Sequence, residues 1–549
     1  AFLTLWAAYG FQIGTMPSNL PTFPQLTGVT LPLSHHLEQL LDIGGRLQKS
    51  TPAFLAGNYS DSGWWTYFPV AFLLKTPLPT LILLLLAFSS LFWLAIKQKL
   101  GDRWLTIGAL LIPPVGYFTI ALTSEINLGY RHLLPILPFL IVFISTVLFW
   151  FNDFPQPQRR SERQELKTLR SLRLCGLFFR PVLIGAVGWL IVSALWLYPS
   201  YLTFFNGLAG GPDGGWRYLV DSNIDWGQDL GNLKVWMDEN EVDQVWLSYF
   251  GEGRPSYYSI NYIGLDSFPP RLMNPQTRPF YPHDPAPGIY AISATNLQGV
   301  HFANRDLFAW FREREPIAKI GYSIFIYDVP PRGQPTDLVL AGVQLDEIAP
   351  NDFTRFKTNN LTLHWIDPTE GFLWPESDSF WLAISKDETV HFFFSEWLAG
   401  EEKISETEEY LLFQVNPEEI ERSVLQTFSQ KDRQIAFMGF SIPGEGLQSP
   451  LLLITTRWQN QSSPIPIKLF IHLIDDKENI VAQWDGLSIA WEGFHKGDEL
   501  LQIQQFELPD SLASGSYQVR AGIYHPETGE RWTTPTDTDF IVLEEFIIP

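Results

Sequence analysis

At 549 residues the chain calls for several folding units rather than one core. Its 37 basic against 59 acidic side chains leave a net charge of −22, which argues against a nucleic-acid partner. The charge is unevenly spread: residues 1–206 carry 14 Lys and Arg against 8 Asp and Glu, the remainder 23 against 51, so the two parts suit different surroundings. A single cysteine, Cys175, excludes a disulfide framework.

The opening AFLTLWAAYGFQIG is apolar over 14 residues, short of the ~20 that a spanning helix needs. It reads as the cut end of a transmembrane helix. A signal peptide is disfavoured, because no basic region precedes the stretch and no small-residue cleavage site closes it.

An external loop, 11–77, follows. Near its end Phe54, Leu55, Trp64, Trp65, Tyr67 and Phe68 give the aromatic density expected of a helix lying in the membrane interface. Four apolar runs then read as spans at about 78–96, 104–124, 133–151 and 181–205. Pro113-Pro114 predicts a kink in the second.

Lys97, Lys99 and Arg103 follow the first span. Arg159, Arg160, Arg163, Lys167, Arg170, Arg173 and Arg180 crowd the loop between the third and fourth, which marks it as cytoplasmic. Alternation then places the 124–132 loop, and everything from Asn206 onward, outside. The expectation is a multi-pass membrane protein with extracytoplasmic C-terminal domains.

Beyond the spans, 207–332 alternates strand-like runs (VWLSYFG, GIYAISATNL, SIFIYDV) with helical stretches such as Leu230 to Glu239, the pattern of an α/β domain. From there short strands recur between Gly, Pro, Asn and Asp turns, predicting a β-rich domain over 333–432 and a β-sandwich over 433–549. The fold class is therefore multi-domain: an α-helical transmembrane bundle, an extracytoplasmic α/β domain and C-terminal β-sandwich modules.

Chemistry concentrates in the outer loop Ser124-Glu125-Ile126-Asn127-Leu128-Gly129-Tyr130-Arg131-His132. The Arg131 guanidinium is a permanently charged fork suited to a phosphate, and His132 can donate to a second oxygen. The competing use of Arg131 is a pair with Glu125 or with lipid headgroups. Lys75, in PVAFLLKTPLP, either joins the phosphate or snorkels to the surface.

Asp221, Asn223, Asp225 and Asp229 resemble a calcium loop only superficially. Trp226 stands where that motif wants Gly, and Asn232 where it wants its closing Glu, so capping of a helix near Gln228 is the expected use. His35-His36 has no carboxylate or Cys at ligand spacing, and no resident metal is expected. Trp458, His472, Trp484, Asp485, Trp491 and Tyr524 could offer ring faces to sugars, though core packing is the commoner use of such residues.

The strings GNYSDSGWWTYFPVAFLLKTPLP and EINLGYRHLLPILPFLIV, with VDSNIDWGQDLGNLKVW after the last span, resemble the C-terminal portion of bacterial glycosyltransferase family 39-like proteins, which are related to protein mannosyltransferases within the GT-C superfamily. The resemblance covers about residues 50–330. It implies a bundle of spanning helices in the bacterial cytoplasmic membrane, part of it N-terminal to this chain. The implied activity is transfer of a sugar from a polyprenyl-phosphate donor to an extracytoplasmic protein or glycan acceptor.

In such proteins the catalytic acid lies in the first external loop, which this chain does not contain; Glu125 and Asp61 are weak substitutes. Arg131, His132 and Lys75 would hold the carrier phosphate, with Tyr130, Trp64 and Trp65 supporting. The resemblance also allows a divalent cation at the leaving group. A different expectation from the same sequence is a membrane-anchored extracytoplasmic carbohydrate-binding or surface protein, in which the helices only tether the β-modules.

Overall fold

The computed structural model describes residues 2–16, 24–38, 51–96, 103–152, 165–416, 424–443, 451–509 and 512–548. Most of the basic loop after the third apolar run, together with Lys97 and Lys99, lies outside them. The chain divides into two compact units, one of 1–272 with 289–327 and the other of 273–288 with 328–549.

In the first unit the helices follow the apolar runs. They are α1 (Phe2–Ala8), α2 (Tyr67–Lys75), α3 (Leu78–Ile96), α4 (Arg103–Leu122), α5 (Leu137–Asn152) and α6 (Glu165–Leu197). Two of them, Leu78–Ile96 and Trp104–Leu122, are long and apolar enough to cross a membrane, and shorter apolar helices cover Tyr130–Thr146 and Pro181–Leu197.

Leu84, Ala87, Leu94, Ile107 and Phe143 form the core between α3, α4 and α5. The opposite faces expose Leu85, Phe92, Ile112, Ile120, Ile191 and Leu195, far more apolar surface than a helix facing water shows.

Two boundaries differ from the sequence reading. The third run opens as a 3-10 turn over Tyr130–Ile136, because Pro135 has no amide to donate to an α-helical ladder. The fourth helix ends at Leu197 rather than near 205, where Pro199 interrupts it and a short 3-10 turn, Tyr201–Thr203, takes over.

Before α2 lie two short hairpins, Ile13–Thr15 with Thr30–Pro32 and Ala53–Leu55 with Asn58–Ser60, and after α6 the first unit continues as an α/β layer. It holds helix α7 (Leu230–Glu239) and the strands β1 (Val245–Ser248), β2 (Tyr262–Gly264), β3 (Gly288–Ser293), β4 (Ala318–Ile320) and β5 (Ile324–Val329), in the spatial order β2-β1-β3-β5-β4. Strands β1, β2 and β3 run parallel, and β4 returns antiparallel to β5. Leu233 and Met237 of α7 pack on Val245, Leu247 and Ile326, the period-3.6 stripe meeting the period-2 face.

The second unit begins with a mixed sheet of β6 (Thr336–Ala341), β7 (Leu361–Ile366), β9 (Phe380–Ser385), β10 (Glu402–Glu406) and β11 (Tyr410–Val415). Its order is β7-β6-β9-β11-β10. Strand β6 is parallel to both β7 and β9, and the remaining pairings of this sheet are antiparallel.

The sandwich draws on both sequence-predicted β regions. One sheet joins β8 (Gly371–Trp374) and β12 (Gln426–Gln430) to β13 (Arg433–Ser441), β14 (Leu451–Asn460) and β17 (Glu499–Glu507). The other is β15 (Lys468–Asp475), β16 (Ile480–Gly486), β18 (Gly515–Tyr524) and β19 (Ile541–Ile548). A boundary at 432/433 therefore does not hold, since Gly371–Trp374 hydrogen-bonds to Glu499–Gln502 and one apolar core runs from Val339 and Phe372 to Trp458 and Trp532.

Candidate functional site

The outer loop at 124–132 is fastened before it can do chemistry. Asn127 accepts from the Trp64 amide (2.7 Å) and donates to the Ser124 carbonyl (3.1 Å), tying the loop to the segment before α2. The next residues dock on the 220–226 turn of the α/β layer. Gly129, at φ +150°, lies where a side chain would meet the Ser222 hydroxyl at 2.6 Å, and only glycine allows so close an approach.

Asn223 is the centre of this junction. Its side chain accepts from the Tyr130 amide (2.9 Å) and donates to the Tyr67 hydroxyl (2.8 Å). Its carbonyl accepts from Lys75 Nζ (2.5 Å). Lys75 also donates to the Leu202 carbonyl (2.7 Å) and sits 4.4 Å from the Phe205 ring centre.

Lys75 is thus buried, neither snorkelling nor presented to a ligand. Two carbonyls and an aromatic face satisfy it, and its work is to hold α2 to the α/β layer. Tyr130 is likewise a positioning group, its hydroxyl 3.0 Å from that of Thr76.

Arg131 is exposed, and its guanidinium lies over the indole of Trp226 at 5.1 Å rather than against Glu125. His132 stands edge-on to Phe68, with Nε2 buried and without a hydrogen-bond partner. Trp65 projects into solvent, and Trp64 is half-buried. Of the two weak acid candidates, Glu125 is exposed, while Asp61 pairs with Arg305 at 3.3 Å.

The sequence reading missed a group of packed rings beside Arg131, at a topological switch point of the sheet. Chain leaving β1 passes to β2 on one side, while β3 lies on the other, so the carboxyl ends of these parallel strands open a crevice where α/β folds place ligands. Phe250 follows β1, Phe268 follows β2 and His301 follows β3. Their rings are nearly parallel, with His301 stacked on Phe268 at 4.1 Å and Phe250 5.7 Å from His301. Trp226 completes the rim, 6.3 Å from Phe250.

His301 Nε2 lies 3.1 Å from a carboxylate oxygen of Asp221. Asp221 occupies the left-handed region at φ +56°, a strained setting for a residue with a side chain. Its amide donates to the Thr295 hydroxyl at 3.0 Å.

The acids that resembled a calcium loop diverge into separate tasks. Asp225 is wholly buried, and that burial pushes its carboxyl up to about 8, against the bond it accepts from the Gly227 amide. Asp229 stands at the N-cap of α7 without capping it, because its carboxylate instead accepts from Ser323 (2.6 Å), Asn232 (2.7 Å) and Gln228 (3.1 Å). Capping is therefore not what these acids do. Among the described residues no group of three His, Cys, Asp or Glu side chains could hold a metal ion.

A recess of about 280 Å³ opens elsewhere in this unit, walled by Leu78, Pro79, Trp189, Trp196, Phe204 and Phe205 and rimmed by the Gly207–Asp213 loop. Its lining suits an apolar chain. In the second unit Trp458 is core, its indole donating to the Thr456 hydroxyl. Trp484, Trp491 and Tyr524 are half-buried, and His472 faces Asp485 at 3.5 Å.

The fold defines a multi-domain α/β protein with sandwich-like sheets and two helices of membrane-spanning length. No protein-family model matches the chain, and no curated protein matches it. Solved structures give partial likenesses. A β-glucuronidase from glycoside hydrolase family 2 is 14% identical over 25% of this chain and 13% of its own, with a TM-score of 0.14. The C-terminal domain of wzt is 15% identical over 21% of this chain and 78% of its own, with a TM-score of 0.14. Chicken MD-1 complexed with lipid IVa is 14% identical over 21% and 93%, with a TM-score of 0.14.

Proposed function

We propose that the chain acts as an integral membrane glycosyltransferase, transferring a sugar from a polyprenyl-phosphate donor to an extracytoplasmic acceptor. The observation that carries this reading is the placement of Arg131. It is an exposed guanidinium on the loop between two apolar helices, and it lies on the ring of Trp226 at the rim of the α/β crevice.

A phosphate at the membrane surface and a sugar beside it would then meet groups from both parts of one unit. Four apolar helices with outward apolar faces support a multi-pass arrangement, and the recess beside α3 and α6 offers room for a lipid chain. Arg131 would stabilise the carrier phosphate as it leaves, which is electrostatic work done by a fixed charge near low-dielectric surroundings.

Replacing Arg131 with Ala in the complete protein, assayed in membranes with polyprenyl-phosphate-linked sugars, is expected to lower transfer by about 100-fold, the usual worth of one preorganised charge. Arg131→Lys should recover part of it, since the charge survives but the fork does not. Because the side chain is exposed, insertion and melting temperature should not change. Transfer unaffected by Arg131→Ala would leave the helices as tethers and return the chain to the membrane-anchored carbohydrate-binding reading.

A further inference from the structure

We infer that the crevice at the carboxyl ends of β1, β2 and β3 is a saccharide-binding cleft, in which a pyranose lies on the Phe268 and Trp226 faces and hydrogen-bonds to the Asp221–His301 pair. Calling that saccharide the acceptor rests on the glycosyltransferase reading, whereas its binding does not.

Three features converge. The first is position: the order β2-β1-β3 puts the divergence of the chain between β1 and β3, and Phe250, Ser293 and Asn296 stand at that point.

The second is the pattern of exposure. Phe250 is buried, but Phe268 is 38% and Trp226 49% exposed, so large flat rings are left open at the rim of an otherwise well-packed layer. An aromatic face carries partial negative charge, and the C–H face of a pyranose presents the complementary surface. His301, stacked on Phe268 and joined to Asp221, fixes the orientation of that ring.

The third is polar chemistry. The Asp221 carboxylate accepts hydrogen bonds and the His301 ring can donate or accept, so adjacent groups of opposite capacity can meet vicinal hydroxyls. Nearby in sequence, the buried Asn296 donates to the Ser248 hydroxyl (3.0 Å) at the end of β1, while its own Oδ1 has no hydrogen-bond partner. Arg131 at the rim would take a charged substituent.

The test uses the full chain in detergent micelles, titrated with tetrasaccharides of mannose and of N-acetylglucosamine while tryptophan emission and saturation-transfer NMR are read. A saturable response to at least one probe is expected. It should weaken at least tenfold in Phe268→Leu, which keeps the volume without the flat face, and in His301→Ala. Phe268→Tyr should restore it, and Tyr257→Ala, removing a ring that is 82% exposed on the 3-10 turn Pro255–Tyr258, should leave it unchanged.

Absence of any response at millimolar probe overturns the inference, as does a response that Phe268→Leu and Trp226→Ala leave intact in folded protein. Binding without sugar transfer would remove the glycosyltransferase reading alone, and transfer without binding would remove this cleft alone.

Discussion

Asn223 shows how much one side chain can be asked to hold. Its amide and its carbonyl join Tyr67, Tyr130 and Lys75, three groups distant in sequence, at a site with almost no access to water. Truncation to Ala strands the Tyr67 hydroxyl and the Tyr130 amide, and each buried unsatisfied group costs about 1–3 kcal/mol. Asn223→Ala should therefore destabilise the first unit by about 3 kcal/mol, read as a lower melting temperature and faster proteolysis near 220–226 in the full chain. Asn223→Asp should fare little better, since it places an ionisable carboxyl at a site that is 1% exposed.

Such roles are barely legible in sequence. The outer loop stands out in sequence because a polar cluster between apolar runs is conspicuous. Burial of Lys75 does not, because its partners are main-chain carbonyls of residues 202 and 223, which no side-chain pattern announces. Phe268 and His301 escaped notice for the same reason: each is ordinary in its own segment, and only the ends of three strands bring them together.

At the scale of elements, β7 is joined to the sandwich by a buried histidine. His364 lies 2.9 Å from Asp337 on β6, 2.8 Å from the Gly493 carbonyl and 3.3 Å from Asp498. Burial works against its charge, yet the two carboxylates outweigh that and hold the imidazolium up to about 9.

A histidine pKa raised on folding adds stability that is fully present below its ordinary value near 6.5 and is lost as pH rises through about 9. The melting temperature of the second unit should fall between pH 7 and pH 10 by scanning calorimetry of the full chain, and His364→Gln should flatten that slope. In the same unit Trp458 fills the sandwich core, so Trp458→Ala should cost about 3–5 kcal/mol in denaturant unfolding.

At the scale of the whole molecule, helix identity followed the sequence closely, because a long uncharged run has little alternative to a helix. The α3 bounds Leu78–Ile96 coincide with the apolar run, whereas the last helix stopped at Leu197 because the proline beyond it outweighs the apolar residues that follow. If the chain is multi-pass as proposed, a cysteine placed at the exposed Glu527 in a Cys175→Ser background should react with an impermeant maleimide in intact cells. Protection from that reagent would reverse the proposed orientation.

Composition and periodicity by themselves determined the apolar helices, the charge asymmetry and the presence of an α/β layer before a β-rich end, since each depends on residues near one another in the chain. Tertiary structure alone decided that β8 leaves the mixed sheet for the sandwich, that Asn223 binds the outer loop to the α/β layer, and that three parallel strands end in one crevice. Those outcomes depend on pairings between segments tens to hundreds of residues apart, whose register and neighbours are set by packing and main-chain hydrogen bonds rather than by any local pattern.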